Sequence, residues 1–123
     1  MTKYLLSFLL VFSAFSVAEA GVGHWNDSNF NESVSQGVVV VDFWAKWCGP
    51  CVKFGPTFEK VAADVGGSAN FGKVNIDEAR NVARQYNVRS IPTVIILKDG
   101  KEIKRKTGGM SEQAFRSFVK SAL

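Results

Sequence analysis

The chain's two cysteines, Cys48 and Cys51, are the side chains best suited to covalent chemistry. They lie three positions apart, where an apolar run at 38–44 gives way to an amphipathic run that begins at Pro50. This pattern predicts a strand that ends near Cys48 and a helix that begins there. Unpaired N–H groups and the helix dipole at a helix N-terminus favour the thiolate. They lower cysteine pKa values to about 3.5–7.5, so Cys48 is predicted to be a nucleophile.

The second cysteine lies on a different face of the predicted helix. Apolar residues recur from Cys51 onward with helical spacing at Phe54, Phe58, Val61, Ala62 and Val65. Cys51 belongs to this buried face, whereas Cys48 precedes it. We therefore predict that Cys48 is the exposed attacking residue and that Cys51 is the sheltered partner that forms a disulfide with it.

Two other uses of a cysteine pair are a zinc site and a disulfide scaffold. A structural zinc site takes four ligands, mainly cysteine and histidine, and this chain has two cysteines and one histidine, His24. Small secreted scaffolds usually contain four or more cysteines. The two cysteines are therefore predicted to carry out redox chemistry. This chemistry requires no metal or organic cofactor, because the electrons reside in the cysteine pair.

The run at 42–51 resembles the active site of thioredoxins, since it reads Asp-Phe-Trp-Ala-Lys-Trp-Cys-Gly-Pro-Cys. The resemblance extends from about His24 to the C-terminus. It implies an α/β thioredoxin fold at 21–123, with a mixed central sheet and helices on both faces. It also implies a protein thiol-disulfide oxidoreductase that reduces disulfides in substrate proteins.

The resemblance assigns roles to two charged residues outside the cysteine motif. Asp42 interrupts an otherwise apolar strand, where burial raises the pKa of a carboxyl, and its family counterpart assists proton transfer at the second cysteine. Lys73 matches a family lysine close to that aspartate. The alternative for Asp42 is an aspartate near the end of a strand whose carboxylate is hydrogen-bonded by water. The alternative for Lys73 is a solvated lysine on a strand.

The resemblance also implies a shallow, mostly apolar surface that contacts substrates. Its residues are Trp47, Gly49, Pro50, Ile91, Pro92 and Gly108. The Ile91–Pro92 peptide bond is expected to be cis, as in the family, although only about 5–6% of X–Pro bonds are. An ordinary proline at the start of a strand is the alternative.

Two positions depart from the family pattern. Val52 and then Lys53 follow the second cysteine, where thioredoxins usually have a basic residue first, and Thr107 occupies a usually apolar position. The first change removes a positive charge near Cys48, and the second is expected to affect substrate preference.

Hydrophobic periodicity and turn residues predict the other elements. We expect a short strand within 21–24 and a short helix within 25–36, with Asn26 or Asp27 as its cap. A strand at 71–76, a helix at 78–86 and a strand at 93–97 follow. Asp99-Gly100 predicts a hairpin, and Ser111 is expected to cap the last helix.

The N-terminal residues have the pattern of a secretory signal peptide. Lys3 precedes an apolar run at 4–17, and Ala18-Glu19-Ala20 is an A-x-A cleavage pattern. A membrane-spanning helix needs about 20 apolar residues, so we expect cleavage after Ala20, or secondarily after Ala18, and no stable membrane insertion afterwards. The mature protein is expected in the periplasm or secreted, with electrons supplied by a membrane relay or a reductase.

Composition bears on the remaining partners. The net charge is +4, and no aromatic residue interleaves with the late basic cluster at 98–106, so nucleic-acid binding is not expected. A monomer is expected because the family is mostly monomeric. The alternative functions are a periplasmic disulfide oxidase or isomerase and, from another class, a non-catalytic docking module.

Overall fold

The computed structural model describes residues 21–123. The signal peptide predicted at 1–20 lies outside these residues and remains a prediction. The elements in chain order are β1 (Gly23–Trp25), α1 (Phe30–Ser33), β2 (Val38–Trp44), α2 (Gly49–Val65), β3 (Asn70–Asn75), α3 (Arg80–Gln85), β4 (Thr93–Lys98), β5 (Lys101–Thr107) and α4 (Glu112–Lys120). Among the described residues, no helix is both long and apolar enough to cross a bilayer.

The five strands form one mixed sheet in the order β1-β3-β2-β4-β5. The central strand β2 is parallel to β3 and antiparallel to β4. Hydrophobic clusters cover both faces of the sheet. The predicted α/β thioredoxin fold, with a mixed sheet between helices, is therefore confirmed.

The sequence of β2 explains its central position. Successive strand residues point to opposite faces, so Val39, Val41 and Phe43 pack in one cluster with α1 and α3. Val40 packs in the other cluster, with α2 and α4. Because both faces are covered, the strand is apolar almost throughout, and its C-terminal end leads directly into the cysteine motif.

The N-terminal connection differs from the prediction in its capping residue. The N-cap position of α1 is Asn29, and it makes no side-chain capping bond. The Asp27 carboxylate instead accepts a hydrogen bond from the Val82 N–H at 3.0 Å, in the first turns of α3. A contact between residues 55 positions apart is not visible in local sequence patterns.

Helix α3 begins later than predicted because the residues before it form a turn around Asn75. The Asn75 carbonyl accepts hydrogen bonds from the N–H groups of Glu78 and Ala79. Its side-chain oxygen accepts another from the Asp77 N–H at 2.9 Å. These bonds occupy the backbone donors of residues 77–79.

The predicted hairpin joins β4 to β5. Asp99 and Gly100 both have positive φ, 49° and 82°, as the type I′ turn of a two-residue hairpin requires. A register shift beside Ile96 and Leu97 leaves Ile103 as the extra residue of a bulge in β5. Strand β5 lies at one edge of the sheet and is mostly exposed.

Candidate functional site

The cysteine pair lies where β2 is connected to α2. Cys48 is the N-cap residue of α2, and Pro50 occupies the first turn, where its missing N–H leaves no donor unpaired. The Cys48 Sγ accepts a hydrogen bond from the Cys51 N–H at 3.2 Å. The two cysteines are joined by a disulfide, with their Cα atoms 5.2 Å apart.

Both sulfurs are largely covered in this oxidised form. Cys51 is 1% exposed and Cys48 is 6% exposed. Cys48 is therefore the more open of the pair, although it is buried here rather than exposed as the spacing predicted. Neighbouring apolar side chains, including Trp44 and Ile91, pack around the disulfide, and the Cys48 Sγ lies 3.8 Å from the Ile91 carbonyl oxygen.

The Asp42 carboxyl group is fully buried in β2. Neither of its oxygens has a hydrogen-bond partner among residues 21–123. Burial raises the pKa of Asp42 from 3.8 to about 7, while the positive charge of Lys73 lowers it. The effect of burial is the larger of the two, since a charged carboxylate loses its hydration in the core.

Lys73 lies opposite Asp42 in the parallel register of β2 and β3. Its Nζ lies over the Trp44 ring, 4.5 Å from the ring centroid, a distance at which an ammonium ion and an indole attract each other. The side chain is half-buried. The structure thus places Lys73 beside the aspartate and against Trp44, not on a solvated face.

The residues predicted to contact substrates surround the disulfide. Trp47 is 69% exposed, and its Nε1–H donates a hydrogen bond to the Asp77 carboxylate at 2.8 Å. Gly49 and Pro50 are exposed between the cysteines. Local sequence patterns do not reveal Asp77 as a partner of Trp47, because the two residues lie 30 positions apart.

The second side of this surface is the segment before β4. The Ile91–Pro92 peptide bond is cis, as the family resemblance implied. Gly108 has a φ of +95°, a conformation that glycine adopts readily. Its N–H donates a hydrogen bond to the Pro92 carbonyl at 2.8 Å, which joins the end of β5 to the proline.

Two threonine hydroxyl groups lie beside the segment that precedes β4. The Thr93 hydroxyl donates a hydrogen bond to the Ser90 carbonyl at 2.7 Å. The Thr93 and Thr107 hydroxyl oxygens are 3.4 Å apart. Since the Thr93 proton is already donated, Thr107 is the donor of this second bond. The contact is long for a bond between two hydroxyl groups, and it places the departure at Thr107 beside the strand that follows Ile91 and Pro92.

The thioredoxin family model matches residues 21–121. The chain belongs to the thioredoxin family. A thioredoxin from Chlorobaculum thiosulfatiphilum is 46% identical over 86 residues, which are 68% of this chain and 80% of that protein. A thioredoxin from Staphylococcus saprophyticus is 39% identical over 97 residues, which are 79% of this chain and 93% of the relative.

Solved thioredoxin structures share the fold. A mutant thioredoxin from Halobacterium salinarum superposes with a TM-score of 0.77 and 28% identity, over 84% of this chain and 91% of the other. Membership of the thioredoxin family, together with the Cys48–Cys51 disulfide, makes this protein a thiol-disulfide oxidoreductase of the protein-disulfide reductase type. Its substrates are proteins that contain disulfides.

Proposed function

We propose that this thioredoxin is exported and acts outside the cytoplasm as a monomeric reductant of protein disulfides. The observation that carries its chemistry is the placement of the two sulfurs, with Cys48 at the N-cap of α2 and Cys51 more deeply buried one turn further on. The signal-peptide pattern at 1–20 supports export.

In the first step, the Cys48 thiolate attacks one sulfur of a substrate disulfide. The substrate S–S bond breaks, a disulfide forms between Cys48 and the substrate, and the released substrate sulfur takes up a proton. The N–H groups at the start of α2 stabilise the thiolate. In the oxidised structure, the Cys51 N–H already donates a hydrogen bond to the Cys48 Sγ.

In the second step, Cys51 attacks the Cys48 sulfur and releases the second substrate thiol. Asp42 accepts the Cys51 proton, directly or through a water molecule, and a carboxyl with a pKa of about 7 is suited to this exchange near neutral pH. Two electrons have then passed to the substrate, and the Cys48–Cys51 disulfide has formed. The positive charge of Lys73 opposes the rise in the Asp42 pKa that burial causes.

The substrate contacts are assigned to Trp47, Gly49, Pro50, Ile91, Pro92 and Gly108. The exposed Trp47 ring and the exposed Gly49-Pro50 dipeptide provide one side. The segment at 91–92, held by the Gly108 N–H, provides the other. An extended substrate chain fits between them with its disulfide facing Cys48.

A reductant in an oxidising compartment needs a continuing supply of electrons. We assign this role to a membrane electron relay or a reductase that reduces the Cys48–Cys51 disulfide. The Gly-Pro dipeptide and the isoleucine before Pro92 favour the reducing direction, because they match reducing thioredoxins. Equilibration of the Cys48–Cys51 pair against glutathione gives its redox potential and so tests this direction. A potential of about −120 mV, which is that of a strong oxidant, contradicts it.

Trapping of mixed disulfides in the native host tests the substrates. Cys51→Ala leaves Cys48 without the residue that releases substrates, so disulfide-linked partners accumulate and are identified by mass spectrometry. The matched control is Cys48→Ala, which retains only the buried sulfur and traps far fewer partners. Equal trapping by the two variants contradicts the assignment of Cys48 as the attacking residue.

Location is tested separately from chemistry. Cell fractionation followed by intact-mass measurement should recover a protein that begins at Gly21 outside the cytoplasm. A cytoplasmic protein that begins at Met1 contradicts export and leaves the disulfide chemistry standing. Sedimentation at several concentrations tests the monomer.

A further inference from the structure

A cavity of about 390 Å³ opens beside the cysteine pair, between α2 and the bend before α4. The residues that line it include Pro50, Lys53, Phe54 and Thr57 of α2 and Met110 of the bend. Its size falls within the range of about 300–1,000 Å³ that is usual for ligand pockets. We call this cavity the Met110 pocket.

The Met110 pocket adjoins the surface assigned to substrate contacts and overlaps it at one residue. Pro50, between the two cysteines, belongs to both. Gly109 also lines the pocket and directly follows Gly108. A substrate chain that lies against Pro50 and Gly108 therefore passes the mouth of the pocket within a few residues of its attacked sulfur.

The walls of the pocket are suited to an apolar side chain. Phe54 is 4% exposed and forms part of the hydrophobic core. Met110 packs against the same core and remains partly exposed. Methionine adapts its shape to different neighbours because its side chain is flexible and polarisable.

The charge at the pocket is positive. Among residues 21–123, Lys53 is the one charged residue that lines the pocket, and it makes no ion pair with the others. Glu112, which follows the lining residue Ser111, pairs with Lys60 at 2.9 Å. Thioredoxins usually have a basic residue directly after the second cysteine, where this chain has the exposed Val52, which does not line the pocket. In this chain the basic residue comes one position later, at Lys53, and lines the pocket.

We propose that the Met110 pocket is a substrate subsite for an apolar side chain near the attacked half-cystine, and that Lys53 favours a carboxylate beside that side chain. This inference rests on the proposed function, since the occupant belongs to a disulfide-bearing protein. Leucine represents the occupant, and glutamate represents its acidic neighbour.

The test uses the complete mature protein, residues 21–123, in its reduced form. Its substrates are disulfide-linked peptides. In each peptide, one position within three residues of the cysteine is varied between alanine and leucine. At one position we expect leucine to raise kcat/KM about 10-fold over alanine, the low end of discrimination by an apolar pocket. Glutamate beside that leucine should react several-fold faster than lysine, with a preference that weakens as salt is added.

Two variants locate these preferences in the pocket. Thr57→Phe places a ring in the cavity and should reduce the leucine-to-alanine ratio to about 1, while Lys53→Glu should reverse the glutamate-to-lysine preference. The matched control is Lys46→Glu, which makes the same charge change at an exposed residue near Cys48 that does not line the pocket. This control should keep the glutamate preference.

Each outcome bears on the inference. A leucine-to-alanine ratio of kcat/KM near 1 at every position overturns the subsite. An unchanged ratio in folded Thr57→Phe overturns it too. So does an equal effect of Lys46→Glu and Lys53→Glu on the glutamate-to-lysine preference. If Thr57→Phe does not fold by circular dichroism, the comparison of the two lysine variants decides. If the wild type reduces no peptide, the proposed function fails together with the subsite; reduction without discrimination overturns the subsite alone.

Discussion

Replacement of Asp42 by asparagine should remove most of the pH dependence of stability between pH 4 and pH 7. Asp42 is fully buried, and its pKa is raised from 3.8 to about 7. Each pKa unit corresponds to about 1.36 kcal/mol, so a shift of this size corresponds to about 4 kcal/mol. No hydrogen bond within residues 21–123 offsets this cost.

The direction follows from where the proton is held. The unfolded chain releases the Asp42 proton near pH 4, whereas the folded protein retains it up to about pH 7. Between these values the folded state binds more protons, so the free energy of unfolding decreases as the pH rises. Above about pH 7 the loss is complete. Asp42→Asn is neutral throughout and should be more stable than the wild type by about 4 kcal/mol at pH 8, but by almost nothing at pH 4.

Urea denaturation of the oxidised protein, repeated from pH 4 to pH 9, measures this difference. Other titrating groups are common to the two proteins and cancel. Glu59→Gln, at an exposed position of α2, is the control, because an exposed carboxylate stays hydrated in both states. Parallel stability curves for the wild type and Asp42→Asn between pH 4 and pH 8 would refute the reasoning.

Three further substitutions test individual contacts. Lys73→Met should raise the pKa of Asp42 further, because the lysine charge lowers it, and carboxyl-carbon NMR titration measures the shift; a lower pKa would contradict this electrostatic role. Thr107→Val removes the hydroxyl that lies 3.4 Å from the Thr93 hydroxyl and should cost no more than about 0.5 kcal/mol in urea denaturation, because this contact is long and Thr107 is exposed; Thr107→Ser should recover most of the loss. Asp27→Ala removes the carboxylate that accepts the Val82 N–H in the first turn of α3 and should cost about 1 kcal/mol in thermal unfolding, with a smaller loss for Asp27→Asn.

The sequence predicted the elements that dominate the core. An apolar run with both faces covered identified β2, and helical spacing after Cys51 identified the buried face of α2. The hairpin at Asp99-Gly100 was predicted because few residues adopt positive φ at both turn positions. The cis bond before Pro92 followed from the family resemblance and not from local pattern.

The features that could not be predicted depend on contacts between distant parts of the chain. Asp27 accepts a hydrogen bond from the first turn of α3 instead of capping α1, and Asp77 orients Trp47. Residue types alone also left open whether Lys73 was solvated, because its position beside Asp42 depends on the register of two parallel strands. The Met110 pocket forms only where α2 meets the bend before α4.

The two borders of the sheet bear on how the protein behaves in a crowded compartment. Strand β1 has three residues, which is too short to recruit another chain effectively. Strand β5 is longer but is interrupted by its bulge and carries several lysines, features that oppose aggregation through open backbone groups. Neither border therefore offers a flat template for amyloid-like growth, although β5 exposes Ile103 at its bulge.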